Sequence, residues 1–573
     1  MGPKRTLLVL LASISLAATA LPATAAAASP IPTSYPRDET LYTSGTMYGP
    51  PGDFNPIKDW DYTTGSFGLL YESLFLYNPL TDKFTPWLAQ SGSWTGAREY
   101  TLKLRPGIKW SDGQPLTADD VVYTANLGKL ASVPYSTIWS FLSSATKVDA
   151  TTVKFTFTKA LYQEWATWLY NTAIVPYHIW NGRSETDVMG NNNDPAPVGT
   201  GPYTLLTYDQ QKVVWVKNDA WWGKSILKLD VKPKYIIDLV NGSNNVSLGL
   251  MMSGQIDLSN NFLPGINSLV SGIGGYGIQT YYPQSPYMLS ANTAWLATND
   301  AKKPLNDPVF RRALAESINV SKIVTNVYGN IVKAASPTGL LPTWNKYVDT
   351  AAVQKYGFKY NPADAKKILT AAGYKMGSDG YFRNKDGSKI DLEIIVPNGW
   401  TDWMASIQSI AASAKGAGIR IHTAYPSYND RTDKIQRGKF DLAIMNDRQL
   451  SNSPWTYYSW VFRQPITSVQ NAGNFGRYKN STAWTLVQQL DATPTTNLTA
   501  MKSVMSKLET ILMKDLPIIP LWYNGMWSQA SNAVWTNWPS SAAGSPHYVP
   551  CTWRGYWQMG AVLMLTQLKL AAH

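Results

Sequence analysis

Between residues 446 and 460 the chain gathers side chains suited to holding a ligand. Asn446, Gln449 and Asn452 are amides, Trp455, Tyr457, Tyr458 and Trp460 are aromatic, and Asp447 is the single acid of the stretch. A side-chain amide both donates and accepts hydrogen bonds, so it pairs with hydroxyls that do the same. Trp and Tyr add an apolar face with a polar handle. A neutral, polyhydroxylated molecule with apolar C–H faces fits such a set. Three smaller groups join it. Trp400, Asp402 and Trp403 follow the apolar run at 392–396, Asn260 and Asn261 follow residues 254–257, and Trp522 and Tyr523 end the run after Pro520. Positions just past a strand's carboxyl end are where α/β sheets hold ligands.

Each residue also has an ordinary reading. Trp403 can pack down on its own sheet, Trp455 and Trp460 can be core, and Asn pairs are common in turns for conformational reasons. Catalytic chemistry has less to work with. A glycoside hydrolase needs two carboxyl groups about 5 Å or about 6.5–9.5 Å apart. Asp402 and Asp447 are formally available, but no hydrolase motif accompanies them. His178, His422, His547 and His573 show no paired ligand spacing, and Cys551 is the sole cysteine, so no metal site, cofactor or internal disulfide is expected. No G-x-S-x-G occurs in a strand–turn–helix context, and no phosphate-cradling G-x-x-x-x-G-K-[ST] is present.

The elements that would position these residues alternate between strand and helix. Tyr100, Leu102 and Leu104 alternate with polar residues, as do Val153, Phe155 and Phe157, the pattern of half-buried strands. Thr117 followed by Asp120 predicts a capped helix from Ala118. Asp307-Pro308 and Asn361-Pro362 predict two more helix starts, the second helix ending at Gly373. Leu498, Met501, Met505, Leu508 and Leu512 follow helical spacing, and Ile518-Ile519 between prolines predicts a strand. The mixture predicts α/β lobes, and 573 residues exceed what one core supports. Residues 191–197, 272–277 and 539–546 are turn- or linker-like in composition.

Export is the next expectation. Lys4 and Arg5 precede an apolar run at 7–21 and the A-x-A site Ala23-Thr24-Ala25, which together predict a signal peptide over 1–25; an uncleaved anchor is the alternative. The net charge is +12, or +10 without Lys4 and Arg5, and it is scattered, so no nucleic-acid partner is expected. The chain holds 24 Trp and 33 Tyr but 14 Phe.

Several motifs in order resemble one family. They include Phe54-Asn55-Pro56, Leu70-Tyr71-Glu72-Ser73-Leu74, Pro86-Trp87-Leu88-Ala89, and the block from Tyr100 through Arg105-Pro106-Gly107-Ile108-Lys109-Trp110-Ser111-Asp112-Gly113 to Val121. Gly199-Thr200-Gly201-Pro202-Tyr203, Gly254-Gln255-Ile256-Asp257, Pro304-Leu305 with Arg312-Ala313, and Asn361-Pro362-Ala363-Asp364-Ala365 follow. Over about residues 40–560 the chain resembles the family 5 extracytoplasmic solute-binding proteins of ABC importers, the oligopeptide/dipeptide-binding class. The resemblance implies an α/β, two-lobed periplasmic-binding-protein fold, hinged, with a β-rich subdomain inserted in the first lobe. It implies a first lobe at 26–66, 199–292 and 535–573, the inserted subdomain at 67–198, and a second lobe at 293–534. It further implies a periplasmic or extracellular monomer that closes on its ligand and docks on a membrane permease served by a separate ATPase chain.

Peptide-binding members hold the peptide ammonium with an Asp a few residues before a Pro. Before Pro454 that position falls near Leu450, with Asp447 three residues earlier. The stretch 445–455 and the opening segment at 45–55 instead resemble the oligosaccharide-binding branch, the cello- and β-gluco-oligosaccharide receptors. An oligosaccharide is therefore the expected ligand, an oligopeptide the alternative, and metal transport a distant third. The expected contacts are Asn446, Asp447, Gln449, Asn452, Trp455, Tyr458, Trp400, Trp403, Asn260, Asn261 and Trp522.

Overall fold

The alternating segments pair as their burial demands. In the computed structural model, which describes residues 34–58, 62–193, 196–270, 277–447, 450–550, 553 and 561–572, the strand Glu99–Leu104 buries Tyr100, Leu102 and Leu104. It runs antiparallel to Thr152–Phe157, with Tyr100 opposite Phe155 and Leu102 opposite Val153. Ala89–Gly96 and Leu142–Lys147 complete this four-stranded sheet. The predicted signal peptide, most of 272–277, Cys551 and Gln449 lie outside the described residues.

Eight helices matter below: α1 (Ala118–Leu127), α2 (Tyr162–Asn171), α3 (Asn244–Met252), α4 (Thr401–Gly416), α5 (Tyr428–Gln436), α6 (Trp455–Val461), α7 (Ser481–Asp491) and α8 (Leu498–Asp515). Thr117 caps α1 in a full capping box with Asp120. Asp307 and Asn361 cap helices that begin with Pro308 and Pro362. Helix α2 covers the small sheet: Trp165 meets Phe155 at 4.7 Å and stacks on Trp168 at 4.9 Å.

Two larger sheets form the two lobes. The first orders its seven strands as Ile278–Gln279, Gln529–Ser531, Leu258–Ser259, Thr40–Ser44, Tyr235–Leu239, Lys212–Lys217 and Tyr203–Tyr208. The second runs Lys333–Ala334, Ile518–Gly525, Ser290–Thr298, Leu442–Met445, Leu392–Ile395 and Ile421–Ala424. Its central strands are buried on both faces, as parallel-containing sheets covered by helices usually are. Leu296, Ile394 and Ile444 point to one core, while Trp295, Ile395 and Met445 point to the other. The chain returns to the first sheet between Gly525 and Gln529, a few residues ahead of the crossing expected near Val534.

Two contacts account for motif residues without invoking a ligand. A Cβ on Gly199 or Gly201 would lie 2.0 Å from the Leu70 or Leu69 carbonyl oxygen, so only glycine lets these backbones touch. Beside them the buried Glu72 accepts from Trp87 Nε1 (2.9 Å), Trp221 Nε1 (3.3 Å), Trp222 Nε1 (2.7 Å) and Thr200 Oγ1 (2.8 Å). Burial pushes its carboxyl up to about 7 against the pull of those four donors.

The lobes also touch through a helix end. The N-cap residue of α2, Leu161, offers it no side-chain hydrogen bond. Asp491, at the end of α7 in the other lobe, accepts from the backbone N–H groups of Gln163 (2.9 Å) and Glu164 (3.0 Å), and Gln163 Nε2 donates to Thr493 O at 2.7 Å.

Candidate ligand-binding cleft

The carboxyl ends of the parallel strands face one another across the lobes. From the first lobe, Thr40–Ser44 leads to Thr46 and Tyr48, Leu258–Ser259 leads to Asn260, Asn261 and Phe262, and α3 begins at Asn244. From the second, Leu392–Ile395 leads to Trp400, Asp402 and Trp403, and Leu442–Met445 leads to Asn446 and Asp447. With Tyr428, Arg431, Asn524 and Trp527 these residues line a cleft of about 1010 Å³, part of it open to solvent. At Gly45, where φ is +120°, a Cβ would sit 2.8 Å from the Asn260 backbone, so glycine permits the approach that sets Tyr48 beside the Asn pair.

The floor is a hydrogen-bonded bracket. Asn244 Nδ2 donates to Thr401 Oγ1 (3.1 Å) and Asp402 Oδ1 (3.0 Å), while its carbonyl accepts from Asn261 Nδ2 (2.8 Å). Tyr328 Oη donates to Asp402 Oδ2 at 3.1 Å. Asp402 is 5% exposed, and burial pushes its carboxyl up to about 6 against the hydrogen bonds from Tyr328 and Asn244. Asn260 Nδ2 donates to Trp527 O at 2.6 Å, and its Oδ1 is buried with no hydrogen-bond partner among the described residues.

The walls are aromatic. Tyr48 stacks on Tyr428 at 5.5 Å and tilts against Trp400 at 5.2 Å, joining the two lobes, and Trp400 meets Trp403 edge-on at 4.8 Å. The Arg431 guanidinium lies 5.8 Å from the Trp403 ring and donates to Ile444 O. Burial lowers its pKa, and the charge of the nearby Asp447 carboxylate opposes that. The acid closest in sequence to the ammonium-anchor position thus shares its surroundings with a buried cation.

Six of the eleven expected contacts come together here, Trp400, Trp403, Asn260, Asn261, Asn446 and Asp447, with Asp402 beside them. Trp403 is 2% exposed, so it is floor and core at once. Trp455 lies elsewhere, in a second cavity of about 950 Å³ between α2 and α6. Asn452 lines neither cavity and accepts from Tyr170 Oη at 3.4 Å. Tyr458 and Trp522 are corrections. Both are fully buried and line neither cavity, because α6 turns Tyr457 and Tyr458 away from the face that carries Trp455, Ser459 and Trp460, and Trp522 points from its strand into the core against Tyr328. Sequence reasoning missed Tyr428, Arg431 and Asn244. The available signals were the helix caps at Ser427 and Ser243, which place helix starts at strand ends.

Among the described residues no three His, Cys, Asp or Glu side chains gather as a metal site, and no helix is long and apolar enough to cross a membrane. The profile of the bacterial extracellular solute-binding proteins, family 5 Middle, matches residues 83–468. The periplasmic oligopeptide-binding protein of an oligopeptide ABC transporter from Thermotoga maritima, crystallised with mannohexaose bound, is 44% identical, with a TM-score of 0.91 over 94% of this chain and 100% of that one. The oligopeptide-binding protein AppA of Bacillus subtilis, in complex with a nonapeptide, shares the fold at TM-score 0.76 and 20% identity over 93% of this chain and 99% of that one. The peptide transport periplasmic protein SapA of Salmonella typhimurium is 24% identical over 83% of this chain and 86% of its own length.

Proposed function

The chain belongs to the bacterial extracellular solute-binding proteins of family 5 and is a solute-binding receptor of an ABC transporter, and from that premise we propose that its ligand is a neutral oligosaccharide. One observation carries the reading: both acids of the cleft already interact with other groups of the protein. Asp447 faces Arg431, and Asp402 is buried, bracketed by Asn244 and Tyr328, and pushed up to about 6. A peptide's ammonium group would have to compete with Arg431 for Asp447 and with Asn244 and Tyr328 for Asp402, whereas amides and ring faces remain for hydroxyls and C–H faces. The mannohexaose held by the Thermotoga maritima relative supports the same ligand class.

In this reading the receptor binds the sugar and releases it with every bond intact. The lobes close on the sugar as a hinge, and the closed form delivers it to membrane permease subunits driven by a separate ATPase chain. Residues 1–25 direct export, and the lobe boundaries drawn from the sequence, with the return to the first lobe moved to 525–529, belong to the same proposal.

The test is a tryptophan-fluorescence and calorimetric titration of the purified protein with manno-, cello- and xylo-oligosaccharides beside di- to pentapeptides. Saturable micromolar or tighter binding of an oligosaccharide, with the sugar recovered intact, is the expected result. Binding of peptides alone would overturn the ligand class and make Asp402 or Asp447 an ammonium anchor. Release of shortened sugar would overturn the receptor-only reading.

A further inference from the structure

The cleft described above does not account for the second cavity. It spans about 950 Å³, part of it open to solvent, and it too is walled by both lobes: Trp168 of α2 on one side, Trp455 and Trp460 of α6 on the other. Its charges are also internally answered. Glu164 accepts from Thr137 Oγ1 and feels the Arg463 charge across the lobes. The half-buried amide of Asn171 completes a lining of the same chemical kind as the first cavity.

Its wall contains several unmet donors. Nε1 of Trp168, Nε1 of Trp455 and Oγ1 of Thr456 are buried without a hydrogen-bond partner among the described residues, on side chains 3%, 7% and 7% exposed. A buried unpaired donor costs about 1–3 kcal/mol, and folded proteins rarely leave several in one place unless something polar is missing.

The same chain segment borders both cavities. Thr46 and Tyr48 line the first, and Pro56, Ile57 and Lys58 line the second. Eight residues separate Tyr48 from Pro56, so the two cavities lie within about 29 Å along this backbone. An extended oligosaccharide of several units covers such a span.

Resting on the oligosaccharide reading above, we propose that this second cavity is a distal sugar subsite, and that the receptor therefore selects for chain length. A disaccharide fills only the first cavity. A longer chain continues along the 46–58 segment and seats its far units between Trp168 and Trp455.

The experiment is a calorimetric series from disaccharide to hexasaccharide, using the linkage that wild type binds best, on wild type, Trp455→Leu and Ala472→Trp. The second variant obstructs the cavity from a half-buried lining position and leaves the aromatic wall intact. In wild type, affinity should rise at least tenfold from disaccharide to hexasaccharide. Both variants should lose at least tenfold for the hexasaccharide and keep wild-type affinity for the disaccharide. Affinity in wild type that stops rising beyond two units would overturn the subsite and leave the cavity to water. So would a folded Ala472→Trp that binds the hexasaccharide as wild type does. Wild type silent to every sugar would instead overturn the ligand class itself, a result separable from the other two.

Discussion

Replacing Asp402 by Asn isolates what burial does to one acid at the floor of the cleft. Its carboxyl moves from 3.8 to about 6 in the folded protein, because burial outweighs the hydrogen bonds from Tyr328 and Asn244. The folded state therefore keeps this proton to a higher pH than the unfolded chain. The stabilisation is present below about pH 4 and is lost as pH rises through about 6. At ~1.36 kcal/mol for each pH unit between those two values, the effect is roughly 3 kcal/mol, with no discount for solvent because the side chain is 5% exposed. Asp402→Asn mimics the protonated acid: its oxygen can face Asn244 Nδ2 (3.0 Å in wild type) while its amide faces the Tyr328 hydroxyl. Urea unfolding of both proteins at pH 4 and pH 7.5 is the assay. Other raised acids, such as Glu72, cancel in the difference because they are present in both. Relative to the variant, wild type should lose roughly 2.5 kcal/mol between the two pH values, since at pH 4 the unfolded side chain is already partly ionised. A difference that stays flat would refute the argument, and one of opposite sign would mean that the bracket, not burial, sets the charge.

Other perturbations separate the roles of neighbouring residues. Trp400→Ala should weaken oligosaccharide binding by about 2 kcal/mol, roughly 30-fold by calorimetry, with little change in the urea midpoint, since its half-buried ring faces Tyr48 across the cleft. Trp403→Ala, removing a ring that is 2% exposed, should cost about 3–5 kcal/mol of folding stability in the same measurement. Gly199→Ala should cost at least ~3 kcal/mol, because its Cβ would lie 2.0 Å from the Leu70 carbonyl oxygen; an unchanged midpoint would show that the backbones yield. Asp491→Ala should be about 1–2 kcal/mol less stable than Asp491→Asn, which keeps an acceptor for the Gln163 and Glu164 N–H groups without the buried charge.

What the sequence disclosed was mostly local. The Thr117–Asp120 box, Asp307-Pro308 and Asn361-Pro362 each fix a helix start through contacts within a few residues, and all three helices form there. The strand Glu99–Leu104 was legible because one face is wet, so burial leaves an alternating record. Where both sides of an element are covered, that record vanishes. Helix α6 is buried all round, so its aromatic run gave no sign that Trp455 lines a cavity while Tyr458 does not. Trp522 sits in a strand buried almost throughout, with the same loss of parity. Tyr428, Arg431 and Asn244 escaped for another reason. Their roles depend on what the opposite lobe brings within reach, and no local pattern encodes that distance.

Helix α2 does not finish its own first turn. The amide protons of Gln163 and Glu164 are satisfied by a carboxylate that belongs to the other lobe. Whenever the lobes separate, those two protons lose their acceptor and the turn frays into water, since a helix start has no internal partner to offer them. Their hydrogen exchange with solvent is thus a clock for domain opening. It runs without ligand, dye or label, at a helix start that is no part of the Asn244–Asp402 bracket, and it reports the resting population from which any capture event begins.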